Sequence, residues 1–128
     1  MDRIDLWLEV DRVMPAELSD QAEGVTSEEL KRLVEKAREK QEERFKKSSK
    51  KILRNAEMSA RDLTNLIKLD GDSRKTLDLA AEHLGFSPRV YHRMIKVART
   101  IADLEGSPDI KSTHILEAVE YRPKKFDV

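Results

Sequence analysis

The sequence predicts an all-α fold, a small bundle of about five helices preceded by one orphan N-terminal strand. Three observations predict it. Apolar residues recur at helical spacing between clear start and stop residues from Thr26 onward. Residues 87–106, SPRVYHRMIKVARTIADLEG, are apolar over roughly half the helix circumference, so that helix must face more than one neighbour. Strict alternation occurs once, near the N-terminus, and no second segment of that period follows to pair with it.

In residues 1–14, Ile4, Leu6, Leu8 and Val10 alternate with Asp5, Trp7 and Glu9, the period of a strand with one buried face. A lone strand leaves its backbone groups unpaired, so this segment reads as the cut end of a larger fold. Residues 15–25 have little apolar material and no period, which marks a linker. Thr26 then opens the first helix in a capping box with Glu29. Leu30, Leu33, Val34, Ala37 and Phe45 form its narrow apolar stripe as far as about Lys47, and Glu28–Arg32 and Glu42–Lys46 are favourable pairs one turn apart.

Lys46, Lys47, Lys50, Lys51 and Arg54 surround Ser48 and Ser49. Such a cluster can meet nucleic-acid phosphates. A solvated helix end whose positive charge suits the macrodipole is the plainer account.

Ser59 caps a short helix with Leu63, Leu66 and Ile67 facing in, ending near Gly71. Asp72 or Ser73 starts the next, with Leu77, Ala80, Ala81 and Leu84 on one face and Gly85 closing it. In the central helix Ser87 is the N-cap, Pro88 takes the first helical position and Gly106 the left-handed C-terminal cap. Val90, Met94, Val97, Ala98, Ile101 and Leu104 face inward, with Tyr91, Ile95 and Ala102 beside them. Arg89, His92, Arg93, Lys96, Arg99 and Asp103 occupy the polar arc. Ser112 or Thr113 begins the last helix, with Ile115, Leu116 and Val119 inward. The helical domain is therefore expected over 26–122, with a polar tail over 123–128.

Hydrophobic residues are 38% and charged residues 39% of the chain, which predicts a modest core under a densely charged surface. Lys+Arg and Asp+Glu both total 25, so there is no global pull toward nucleic acid or membrane. The absence of cysteine excludes disulfides and thiol chemistry. No apolar run approaches the ~18 residues of a membrane span, and MDRIDLWLEV has no cleavable signal pattern, so a soluble, cytoplasmic domain with no membrane partner is expected.

Catalytic patterns are missing. The glycines at 24, 71, 85 and 106 cannot build a GxxxxGK[ST] phosphate loop. His83, His92 and His114 fall in no metal-ligand spacing, so no metal site is expected. Residues 77–96 have the outline of a helix-turn-helix in which Arg89, His92, Arg93 and Lys96 would face a DNA groove. Against it stand the length of the second helix, its apolar half and the zero net charge. A plain helical interaction domain is the third possibility.

MDRIDLWLEV at 1–10, EKAREKQEERF at 35–45, FSPRVYHRMIKVARTIADLEGS at 86–107 and THILEAVEYR at 113–122 together resemble the C-terminal part of the magnesium-chelatase-like AAA+ proteins, the ComM/YifB group. The resemblance implies that 1–14 is the last strand of a truncated AAA+ core, 15–25 a linker and 26–122 the helical lid. It implies ATP and Mg2+ as cofactors of the parent protein, none in this chain, and the missing core and neighbouring subunits of a ring as partners, with DNA possible. The chain alone is then no enzyme, although its parent is an ATPase.

Two residues carry over by position. Arg3, in the DRID motif, resembles an arginine finger acting on a neighbouring subunit's nucleotide. Arg89, opening the lid's long helix, resembles a nucleotide-sensing arginine, with Arg93 one turn on as the competitor. Trp7 departs from the small polar or imidazole residue more usual there, and the phosphate-binding loop and its acidic partner lie outside this chain.

Overall fold

In the computed structural model the described residues are 26–46 and 52–122, with Leu6 and Leu8. They form five helices: α1 (Ser27–Phe45), α2 (Ala60–Leu66), α3 (Gly71–Leu84), α4 (Pro88–Glu105) and α5 (Ser112–Glu120), with a 3-10 turn at Asn55–Glu57 before α2. The expected strand lies outside the described residues except for Leu6 and Leu8. Arg3, Lys47, Lys50, Lys51 and the tail from Pro123 lie outside them too.

Short-range chemistry starts and stops these helices. Thr26 accepts the Glu29 N–H at 3.2 Å to open α1. Ser59 and Asp62 exchange hydrogen bonds of 2.9 and 3.1 Å in a complete capping box on α2. Ser87 accepts the Val90 N–H at 3.2 Å, with Pro88 beside it, to open α4. Gly85 and Gly106 take φ of 67° and 80°, the left-handed conformation that closes α3 and α4 and that only glycine adopts without strain.

The start of α3 differs from expectation. Its cap is Asp70, whose carboxylate takes the Ser73 N–H at 2.7 Å; that bond holds the Asp70 carboxyl below its ordinary value. Ser73 is buried because its hydroxyl donates to the Ile110 carbonyl at 2.8 Å. The same region carries a parallel bridge between Leu69 and Ile110. α2 accordingly ends at Leu66 rather than near Gly71, since residues 67–70 must be extended to reach the segment before α5.

The core gathers on α4, which packs against α5, α1, α2 and the 3-10 turn. Leu77, Met94, Ala98, Ala102, Ile115 and Ala118 are wholly enclosed. The buried arc of α4 is rotated from the expected one. Arg99 and Asp103, assigned to solvent by their charge, are buried, whereas Leu104 is exposed and Ile101 only half-buried. The exchange is tolerated because the two buried charges satisfy one another, as described below.

On α1 the stripe is buried only at Ala37, Gln41 and Phe45. Leu30, Leu33 and Val34 are 51%, 44% and 41% exposed, since the C-terminal half of α1 is the part that meets α4. On α5, Leu116 is exposed and Ala118 and His114 take the inward positions.

Candidate functional site

Beneath the surface of α4 lies a polar latch that joins three separate parts of the chain. The Arg44 guanidinium, from the last turn of α1, donates to both oxygens of Asp103 at 2.6 and 3.0 Å and to Asn55 Oδ1 at 2.9 Å. Asn55, in the 3-10 turn, donates to Asp103 Oδ2 at 2.9 Å and to Thr100 Oγ1 at 3.1 Å, and its backbone N–H donates to Gln41 Oε1 at 2.8 Å. Arg99 reaches Asp103 through Nε at 3.2 Å and spends its remaining donors on the carbonyls of Ser107 and Pro108 at 2.8 and 3.0 Å. Burial lowers the Arg99 pKa from its ordinary value, and the Asp103 carboxylate opposes that shift. Two guanidinium groups on one enclosed carboxylate hold the middle of α4 in a fixed rotation.

That rotation decides what α4 shows outside. At about 100° per residue, Arg89, Arg93, Lys96 and Thr100 fall within about 60° of one another. Arg89 is exposed in the first turn, next to Pro88 and the unpaired N–H groups of the helix mouth. Arg93 is half-buried and lines a groove of about 350 Å3. The groove runs along α4 to Leu104, with Ala56 of the 3-10 turn on one side and Glu117 and Tyr121 on the other. Lys96, also on its wall, donates to the Ala56 carbonyl at 3.3 Å. The two arginines singled out from the sequence thus share one stripe, and they differ in exposure.

Of the basic cluster, Lys46 and Arg54 are described, and both are exposed, Lys46 at the C-cap of α1 and Arg54 at the N-cap of the 3-10 turn. The helix-turn-helix outline at 77–96 lacks the mutual packing such a corner rests on: α3 and α4 scarcely touch, and each packs on α5 instead. They are linked by a hydrogen bond from Tyr91 Oη to Asp78 Oδ1, 2.7 Å long. Desolvation, reinforced by that bond and by the Asp78 charge, raises the Tyr91 phenol above its ordinary value.

Sequence reasoning missed the latch and the role of His114. That imidazole is buried. Its Nδ1 accepts the Lys111 N–H at 2.9 Å, which leaves Nε2 as the protonated nitrogen, donating to Glu105 at 2.6 Å. It is the start of α5, built by a ring nitrogen in place of a hydroxyl cap. The signal was present in part, because Arg99 and Asp103 stand one helical turn apart. Among the described residues, no three potential metal-ligating side chains converge, and no helix is long and apolar enough to cross a membrane.

The family described as magnesium chelatase, subunit ChlI C-terminal, matches over residues 24–122. The uncharacterized protein YifB of Salmonella typhimurium is 39% identical over 123 residues, which is 95% of this chain and 23% of that protein. The competence protein ComM of Haemophilus influenzae is 37% identical and YifB of Escherichia coli 38% identical, with the same coverage. The chain therefore spans less than a quarter of the length of the curated relatives it matches.

Proposed function

The chain belongs to the magnesium chelatase subunit ChlI C-terminal family, in the magnesium-chelatase-like ComM group, and from that premise we propose that it is the helical lid of an AAA+ ATPase. In this reading residues 26–122 are the lid, 15–25 the linker and 1–14 the last strand of the ATPase core. ATP and Mg2+ bind to that core, outside this chain, and the lid supplies nucleotide-sensing and subunit-contact groups within a cytoplasmic ring of subunits. The chain by itself does not hydrolyse ATP, because none of its glycines can form the backbone cradle for the phosphates. Arg3 acts across the subunit boundary, where a cation offsets charge developing on the transferred phosphoryl group.

The observation that carries the reading is Arg89, exposed in the first turn of α4. The helix mouth already favours an anion, and a planar guanidinium adds bidentate reach to phosphate oxygens. Arg93 lies one turn further along and is partly enclosed by the groove, so it is the weaker candidate. In the longer protein Arg89→Ala is expected to slow ATP hydrolysis at least ~10-fold, about 1.4 kcal/mol in the barrier, with the lid still folded by thermal melt. Arg93→Ala is expected to slow it less. Wild-type turnover in Arg89→Ala beside lost turnover in Arg93→Ala would reverse the assignment, and wild-type turnover in both would end it.

A second reading, contact with nucleic acid, draws on one observation. The Lys96 bond to Ala56 sets the 3-10 turn, preceded by Arg54, beside the stripe bearing Arg89 and Arg93. Phosphate contacts from such a surface would weaken steeply with salt, so DNA retention that is unchanged between low and high salt would count against it.

A further inference from the structure

The groove along α4 has a neighbour that no sequence pattern points to. Leu6, far from α4 in sequence, lines it together with Val97, Ile101, Leu104 and Tyr121. It is still 51% exposed, so it rests at the groove without being enclosed by it. We propose that this groove is the docking seat of the chain's own N-terminal segment, with Leu6 as its apolar anchor.

Two features select this occupant. Val97, Ile101 and Leu104 of α4 give the groove an apolar stretch, which suits a leucine side chain, and burying one fully is worth about 1.5–3 kcal/mol, enough to hold a short segment loosely and reversibly. The charges also match. The segment around the anchor carries Asp2, Asp5 and Glu9 against Arg3, while Arg93 and Lys96 stand on the groove wall and Glu117 is the one acidic residue among its described lining residues. The N-terminal segment thereby has a place to bury an apolar side chain against the helical body. One consequence rests on the nucleotide reading given above: Arg3 is three residues from the anchor, so its Cα lies at most about 11 Å from that of Leu6, and the seat sets where a finger at Arg3 can reach relative to α4.

The chain has no cysteine, so Leu8→Cys offers a single attachment point for a nitroxide, two residues from the anchor and on an exposed side chain. In the whole chain, methyl signals of Val97, Ile101 and Leu104 are expected to lose most of their intensity when the nitroxide is oxidised, while those of Leu79 on α3 and Leu30 on α1 keep theirs. Adding Leu6→Asp should restore the groove signals, with unchanged shifts for the core methyls of Leu77 and Ile115 showing that the fold is kept. Full intensity at the groove in Leu8→Cys alone overturns the proposal, as does a loss that Leu6→Asp leaves in place. A loss seen only between a nitroxide-bearing copy and a separate isotope-labelled copy assigns the groove to a second chain and overturns it as well. None of these readouts involves ATP, so their failure is distinct from a failure of the lid reading.

Discussion

Arg44 and Asp103 face each other across 59 positions of sequence and are joined by two hydrogen bonds of 2.6 and 3.0 Å, with the Asp103 side chain fully enclosed. Arg99 shares the same carboxylate, so removing it would leave two guanidinium groups without their counter-charge. Breaking a buried pair from one side typically costs about 3–5 kcal/mol, because the remaining charge is uncompensated. Asp103→Asn, which keeps the shape and drops the charge, is expected to lose about that much in urea unfolding. Arg44→Met should lose less, since Asp103 keeps Arg99, and the two substitutions together should cost less than their sum. Strict additivity would mean that the latch is not an energetic unit.

The reversal of faces on α4 gives a second test. Arg99→Ala removes a buried group that donates to Asp103, Ser107 and Pro108, and is expected to cost about 2–4 kcal/mol. Leu104→Ala, on an exposed side chain, should stay within about 0.5 kcal/mol of the parent. An assignment by residue type predicts the opposite order, so chemical denaturation of these two variants decides between the readings.

Those two residues also mark where the sequence stops being legible. Helix ends were readable at Ser59, Gly85, Ser87 and Gly106, because capping depends on groups three or four positions apart in the chain. The start of α3 was not. Asp70, Asp72 and Ser73 are all plausible caps locally, and the choice is made by Ile110, which recruits the Ser73 hydroxyl from another part of the chain. Arg99 and Asp103 were misplaced for the same reason, since their burial depends on Arg44 in a distant helix. For the candidate site, the place of Arg89 in the first turn of α4 followed from Ser87 and Pro88 alone. The groove beside it did not, because Ala56, Glu117 and Tyr121 come to α4 only through the tertiary fold.

The apolar residues of α1 divide into two groups with different expected behaviour. Phe45 is part of the core, and Phe45→Ala should cost about 3–5 kcal/mol. Leu30 and Leu33 have the same chemistry and the same helix but are largely exposed, so Leu30→Gln and Leu33→Gln should each change stability by no more than about 0.5 kcal/mol. Thermal melts of the three variants test this. A large loss at Leu30 would show that something in the chain covers the first turns of α1.

Tyr91 links α4 to α3 through its bond to Asp78, and its ionisation reports on that link. Desolvation is the largest cause of its raised pKa, followed by the hydrogen bond and the charge of Asp78, with Arg74 opposing. The unfolded chain releases a phenolic proton near the ordinary value of about 10, whereas the folded chain holds it to higher pH. The stabilisation this provides is therefore fully present below the unfolded value and is lost as pH rises through the folded one. Wild-type stability should fall more steeply above about pH 10 than that of Tyr91→Phe, which has no proton to lose at that position. The chain has two tyrosines, so the difference between wild-type and Tyr91→Phe phenolate absorbance isolates one of them. The isolated transition is expected above the ordinary tyrosine value, and Asp78→Asn should move it down, because both the charge and the carboxylate acceptor are gone. A transition at the ordinary value in the wild type would mean that the Tyr91–Asp78 bond is not held in solution and that α3 and α4 meet only through α5.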